Sequence, residues 1–283
     1  MGFRQSPFCW AVLAVSAFWV SGGISQAQYA EFPAGQKETP HYRWAQVTSP
    51  RGSALIPEIP EFRLEQVSPP MRDGVRRVLQ QPTLFTHGPS EVFHGQPAFY
   101  HWLLDHPDQA VRLWRRLGAK CMEITDRGNG RFGWADGDGS EIHWDTIFQN
   151  SLYRVWYAEG SVRPAPLLPA VSVRAVAVLR HVDGHDRVGA AVIHHQANLY
   201  VQSDSRTVAI VTRLMGASAP RLAEQCVAQL EMFFSALVWY LDQHPELTQT
   251  LTTQALQGRA PEGNPEAARL SDFLSSPGSP PAN

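Results

Sequence analysis

From Ser218 to His244, apolar residues recur at helical spacing: Leu222, Cys226, Leu230, Phe233, Leu237 and Leu241, widened by Val227, Phe234 and Val238. Positions three and four apart share one side of an α-helix, and Ser218 is a suitable N-cap. A stripe this wide over about seven turns cannot stay in water. The rest of the chain must supply an apolar surface large enough to receive it.

Strand patterns upstream supply that surface. Val171, Val173, Ala175, Ala177 and Leu179 alternate along Val171–Arg180. Along Arg187–Gln202 the alternating set is Ile193, His195, Ala197, Leu199 and Val201, with His194, Gln196, Asn198 and Gln202 opposite. In Ser140–Phe148, Ile142, Trp144, Thr146 and Phe148 share one face, and Glu141, His143 and Asp145 the other. Residues two apart lie on the same side of a strand, so these read as antiparallel strands covered on one side and wet on the other. Lys120–Thr125, Arg131–Ala135 and Leu152–Glu159 add three more. Thr83–His94, interrupted by Gly88 and Pro89, makes the seventh.

Two short helices follow the first strand. Gln96–Asp105 carries Phe99, Trp102 and Leu103 on one side. Pro107 opens a second helix with Val111, Trp114 and Leu117, stopped by Gly118; proline suits a first turn and glycine a stop. The class is therefore α+β, with the folded domain at 83–244.

The flanks read differently. Arg4, the apolar run Cys9–Val20 and the small residues Ser25 and Ala27 form a secretory signal cleaved after Ala27, the run being too short to span a bilayer. Residues 28–82 contain Pro57, Pro60, Pro69 and Pro70 with little apolar periodicity, as in a proline-rich, largely disordered linker. Residues 245–283 end in SSPGSPPAN and read as a mobile tail. These features place the mature protein outside the cell or in the periplasm, with no transmembrane segment.

Loss of the signal removes Arg4 from 24 Lys and Arg, leaving 23 against 26 Asp and Glu, a formal charge of −3. That balance gives no nucleic-acid partner, and Arg112, Arg115 and Arg116 read as a solvated helix face. Cys9 leaves with the signal. Export permits a disulfide between Cys121 and Cys226, but both read as small buried hydrophobes.

Several motifs match chemistry in letters only. Gly128, Gly130 and Gly133 satisfy G-x-G-x-x-G but lead into a strand, where a dinucleotide needs a helix N-terminus. Asp136, Asp138 and Ser140 begin like a calcium loop, yet its sixth and twelfth positions hold Glu141 and Ile147, neither the required residue. Asp136-Gly137-Asp138-Gly139 is a turn. His106-Pro107-Asp108 matches the loop tripeptide of J-domain co-chaperones, but sheet follows it, so it reads as a helix break. His181, Asp183 and His185 fall in RHVDGHD, which reads as a solvated hairpin turn. No metal or other cofactor is expected.

The segment PAFYHWLLDHPDQAVRLWRRL after the first strand, and the terminal RLAEQCVAQLEMFFSALVWYLDQHP, resemble in order and kind the START-like (SRPBCC) superfamily. The resemblance covers 83–244. It implies a helix-grip fold: a curved antiparallel sheet of about seven strands wrapped on the final helix, often around an apolar cavity. Members include lipid and sterol carriers, hormone-binding proteins, cyclases and dioxygenase domains.

The expected function is an exported module binding a hydrophobic, lipid-like small molecule. Two alternatives stand beside it: a non-catalytic envelope interaction domain with a filled core, and a cyclase- or hydrolase-like enzyme using His195 as general base. His195 falls among apolar neighbours on the face that meets the helix. It is either a hydrogen-bonded core histidine or the polar contact of a cavity walled by Trp134, Trp144, Phe148, Leu230 and Phe233. Apolar walls with a few placed polar groups are the usual composition of such pockets.

Overall fold

The structure is a computed structural model and describes residues 62–119, 121–163, 170–203, 218–244 and 246–247; within 218–226 only the Glu224 side chain is described. The expected signal (1–27), most of the expected linker (28–61), the tail beyond 247, and the side chains of Leu222 and Cys226 lie outside the described residues. No described helix is long and apolar enough to cross a membrane.

The strands are β1 (Leu84–His87), β2 (Glu91–His94), β3 (Thr125–Gly128), β4 (Arg131–Ala135), β5 (Glu141–Gln149), β6 (Tyr153–Val162), β7 (Val171–His185) and β8 (Ala191–Ser203). The helices are α1 (Pro69–Gln80), α2 (Pro97–Asp105), α3 (Pro107–Arg116) and α4 (Ser218–Gln243). One eight-stranded antiparallel sheet runs β1-β8-β7-β6-β5-β4-β3, with β2 also on β8. Helices α2 and α3 carry the chain from one sheet edge to the other, and α4 packs on the inner face. This is the helix-grip arrangement.

The expected first strand is split in two. Leu84–His87 pairs Val201–Asn198 and Glu91–His94 pairs His195–Val192, with Gly88-Pro89-Ser90 between them. Proline has no N–H to give a ladder. At this break the Ala197 amide donates to a carboxylate oxygen of Glu231 on α4, while the Gly88 amide donates to Ala197 O at 2.7 Å. A Cβ at Gly88 would run into that Glu231 carboxyl group. Glycine is therefore demanded by close approach.

The inner core is as the patterns indicate. Val171, Val173, Ala175, Ala177 and Leu179 of β7, and Ile193, Ala197, Leu199 and Val201 of β8, pack with Phe233, Phe234, Leu237, Val238 and Leu241 of α4. The Trp114 indole N–H, from α3, donates to Phe233 O at 2.9 Å. The glycine motif is a hairpin turn: Gly128, Asn129 and Gly130 all have positive φ (77°, 56° and 69°) between β3 and β4. His106 ends α2, and Pro107 starts α3 with Asp108 buried. Arg112, Arg115 and Arg116 are exposed.

The strand expected at Lys120–Thr125 is found at Thr125–Gly128, and three larger expectations need correction. The first concerns the linker, because its described part belongs to the fold. Pro69–Gln80 is a helix with Pro at its first turn, and it buries Val75, Val78 and Leu79. Arg72 clamps the turn before it, donating to the carbonyls of Leu64, Glu65 and Val67 at 3.0–3.1 Å. Burying three such side chains is worth roughly 1.5–3 kcal/mol each. The domain therefore begins no later than Phe62.

The second is that the sheet has two apolar faces. Val155, Tyr157, Val176, Val178 and Tyr200 form an outer cluster with Phe62, Val67 and the buried side of α1. The third is Phe148, placed by alternation on the inner face. Thr146 pairs Trp156 and Phe148 pairs Val155, leaving Ile147 as an extra residue. Such a bulge reverses the parity beyond it. Phe148 accordingly joins the outer cluster, edge-on to Phe62 at 5.5 Å, and is no wall of an inner cavity.

Candidate functional site

Two regions lie under α4, and β7 passes through both. The first is an apolar cleft. Leu104 of α2, Pro107 of α3, Ile142 and Trp144 of β5, Trp156 and Ala158 of β6, Ala175 and Ala177 of β7, and Leu230 and Phe234 of α4 line it. Its origin is local. Ala175 and Ala177, two apart on β7 and so on one face, leave room opposite Leu104 and Pro107 at the corner between α2 and α3. The cleft opens to the surface and has a volume of about 60 Å³, against roughly 300 Å³ or more for a site that takes a drug-sized ligand.

Of the residues expected there, Trp144 and Leu230 line the cleft. Trp134 is buried in the core beside it, its indole N–H directed at Met122 Sδ at 3.2 Å. Phe233 is buried against Trp114, ring centres 5.9 Å apart. The cleft residues that pattern reading missed, Ala175 and Ala177, are small members of an apolar strand face. Nothing local marks them as cavity floor.

The second region is polar and gathers side chains from five elements. His195 of β8 is 2% exposed. Its Nδ1 lies 2.8 Å from Tyr100 Oη of α2, and its Nε2 lies 3.1 Å from Glu91 Oε2 of β2. In the tautomer with the proton on Nε2, Nε2–H donates to the Glu91 side-chain oxygen and Nδ1 accepts from the Tyr100 hydroxyl. Ser235 of α4 donates to the same Glu91 oxygen at 3.0 Å. His195 is therefore the hydrogen-bonded core histidine of the two readings. Both ring nitrogens are engaged, and the residue does not line the cleft.

Burial perturbs this region strongly. Burial, with Glu231 adding to it, pushes the Tyr100 phenol well above its ordinary range. Burial, reinforced by Glu91 and opposed by the Ala197 amide, pushes the Glu231 carboxyl up to about 9. Burial first, then the neighbouring His101 and Arg154, holds the His181 imidazole down to about 3. Glu231 is therefore a neutral acid at physiological pH and His181 a neutral imidazole. Shifts of this size gather at functional sites and in buried structural networks alike.

His181 and Asp183 are not in a turn, because β7 runs on through His185 and the turn falls at 186–190. Strand alternation brings His181 and Asp183 to one face, where His101 of α2 meets them. His185, expected as their neighbour, is exposed at the strand end. Cys121 is a half-buried free thiol packed against the core with burial raising its pKa.

No protein-family model matches the sequence, and no curated protein does. Solved structures resemble the chain at low identity. A conserved protein from Geobacillus kaustophilus is similar at 12% identity with a TM-score of 0.37, over 54% of this chain and 95% of that one. A truncated norcoclaurine synthase from Thalictrum flavum is similar at 13% identity and a TM-score of 0.29, over 53% and 93%. A hypothetical protein from Helicobacter pylori is similar at 10% and 0.32, over 58% and 92%. No activity passes to this chain from likenesses at these scores.

Proposed function

We propose that this domain is an exported START-like binding module that takes the short apolar end of a small molecule into the cleft under Leu230 and Phe234. The observation that carries the reading is the lining. Ten apolar residues from α2, α3, α4 and three strands meet around an opening, with no charged or hydrogen-bonding side chain other than the two tryptophans among them. Such a site selects by shape and by exclusion of water. A volume of about 60 Å³ argues for a short alkyl or single-ring group, with the rest of the molecule left at the mouth. A whole sterol or long acyl chain is too large unless α4 moves. Export rests on residues 1–27 alone, and N-terminal sequencing of protein from a secreting host tests it; an intact Met1 in the membrane fraction would overturn it.

One observation favours a second reading. The cleft is small, and the core around it is filled by Trp134, Trp144, Phe132 and Phe233, as an interaction domain without a ligand would have it. The general-base alternative gains nothing here, since His195 is engaged on both sides and the described lining carries no titratable group. Saturation-transfer NMR of the full chain with indole and butyrate separates the readings. Binding of either, abolished by Leu230→Trp at the cleft, is the expected result. Absence of transfer to both probes in the wild type would leave the filled-core interaction domain.

A further inference from the structure

We propose that His101, His181 and Asp183 bind one divalent transition-metal cation of the zinc class, with the fourth position open to water. Each offers one ligand atom, and the three atoms lie within 4.8 Å of one another. His101 comes from α2, whereas His181 and Asp183 are two apart on β7 and so share a face.

The closest pair has the separation a shared ion would impose. His101 Nε2 stands 3.3 Å from Asp183 Oδ1, yet His101 Nε2 has no hydrogen-bond partner among the described residues. Two ligands each about 2.05 Å from a tetrahedral zinc ion stand roughly 3.3 Å apart. An approach of this length without hydrogen-bond geometry matches the separation of two donors that share one ion.

The third donor supplies an independent argument. His181 is 3% exposed, and its Nδ1 is buried with no hydrogen-bond partner. Buried polar atoms of this kind are uncommon and ask for a missing ion or water. Its ring centre is 4.7 Å from that of His101. The widest separations close by rotation of the His101 and Asp183 side chains, which are 34% and 41% exposed. That exposure is also the path by which an ion enters.

The donor set selects the metal. Two imidazoles and one carboxylate suit zinc and its first-row neighbours, whereas calcium and magnesium take oxygen. Arg154 is the fixed charge beside His181 that disfavours a cation here. The Arg154 guanidinium, on β6, is tied to Asp105 at 2.6 Å, which offsets its charge. Tyr100 packs edge-on to His181 at 6.2 Å while its hydroxyl is spent on His195. None of the three ligands lines the apolar cleft, so the two sites fail or succeed separately.

Zinc uptake by the full chain, read in competition with a chromogenic chelator, tests the assignment. One equivalent is expected to bind. His101→Ala and Asp183→Asn should each weaken it at least tenfold, and His185→Ala should leave it unchanged. Both variants alter partly exposed side chains and leave buried His181 in place, so they should fold as the wild type does by circular dichroism. Cobalt(II) in place of zinc should give the intense visible absorption of a tetrahedral site. The assignment is overturned by wild type that takes up no stoichiometric zinc, or by zinc retained at wild-type affinity in folded His101→Ala and Asp183→Asn.

Discussion

Along β7 the residues facing α4 change character. Val171, Val173, Ala175 and Ala177 occupy one end, and His181 and Asp183 the other. Helix α4 follows suit, with Leu230 and Phe234 over the alanines and Glu231 and Ser235 toward the polar network. At the apolar end the helix leaves a gap over small side chains, at the cost of the dispersion contacts a filled site would make. At the polar end most groups pair, although His101 Nε2, His181 Nδ1 and one Glu231 oxygen have no hydrogen-bond partner among the described residues. A buried polar group without a partner costs about 1–3 kcal/mol, so tyrosine, histidine, glutamate and serine close on one another.

The largest expected effect tests whether α4 braces both ends. Phe233→Ala removes a ring packed against Trp114 and Phe234 and should destabilise by about 3–5 kcal/mol. Chemical denaturation gives the value. A midpoint equal to that of wild type would mean that α4 is not what holds the sheet, and the comparison between its two ends would lose its footing.

Next comes the polar end by itself. Tyr100→Phe keeps the ring and deletes the hydroxyl that His195 Nδ1 faces at 2.8 Å, stranding a buried acceptor at a cost of about 1–3 kcal/mol. The same denaturation measurement applies. No loss of stability would show that water satisfies His195, and that the polar end is less tightly closed than its geometry indicates.

Glu231 gives the polar end a pH signature that the apolar end cannot have. Its folded pKa is raised to about 9 from an ordinary 4.5, so between those values the folded form holds a proton that the unfolded chain releases. The associated stability is complete below about pH 4.5 and is lost as pH rises through about 9, by at most about 1.4 kcal/mol per unit. Glu231→Gln lacks this titration. Thermal melts from pH 5 to 9 should therefore show the variant gaining steadily on wild type. A constant difference across that range would mean that Glu231 is solvated.

The expectations that failed have identifiable physical causes. Alternation along β7 and β8 and the stripe of α4 were legible because each is a local period. Helix α1 was hidden behind two prolines and a run of arginines, although Met71, Val75, Val78 and Leu79 carry helical spacing. The outer faces of β7 and β8 also held Val176, Val178 and Tyr200, a second apolar surface waiting for a partner. Phe148 was misplaced by a bulge at Ile147, which no residue in its neighbourhood announces. The polar region could not have been read locally at all. Glu91 and His195, or Tyr100 and His195, meet across about a hundred residues, and only the parity of His195 marked it.

The smallest expected change in stability is the most informative about the apolar end. Ala177→Val adds two methyl groups to a position that floors the cleft, on a strand where a β-branched side chain is at home. If the gap is empty space left by packing, the new methyls recover dispersion contacts, and stability should change by less than about 1 kcal/mol in either direction, within the range of tolerated core swaps. If the gap is also where a ligand sits, the same substitution should remove indole or butyrate binding, because the volume is already small. Stability that barely moves while binding disappears is the expected pair of results. A loss of several kcal/mol would mean that the cleft is tighter than its lining suggests. Unchanged binding beside unchanged stability would place the ligand elsewhere, and the polar end would then be the place to look.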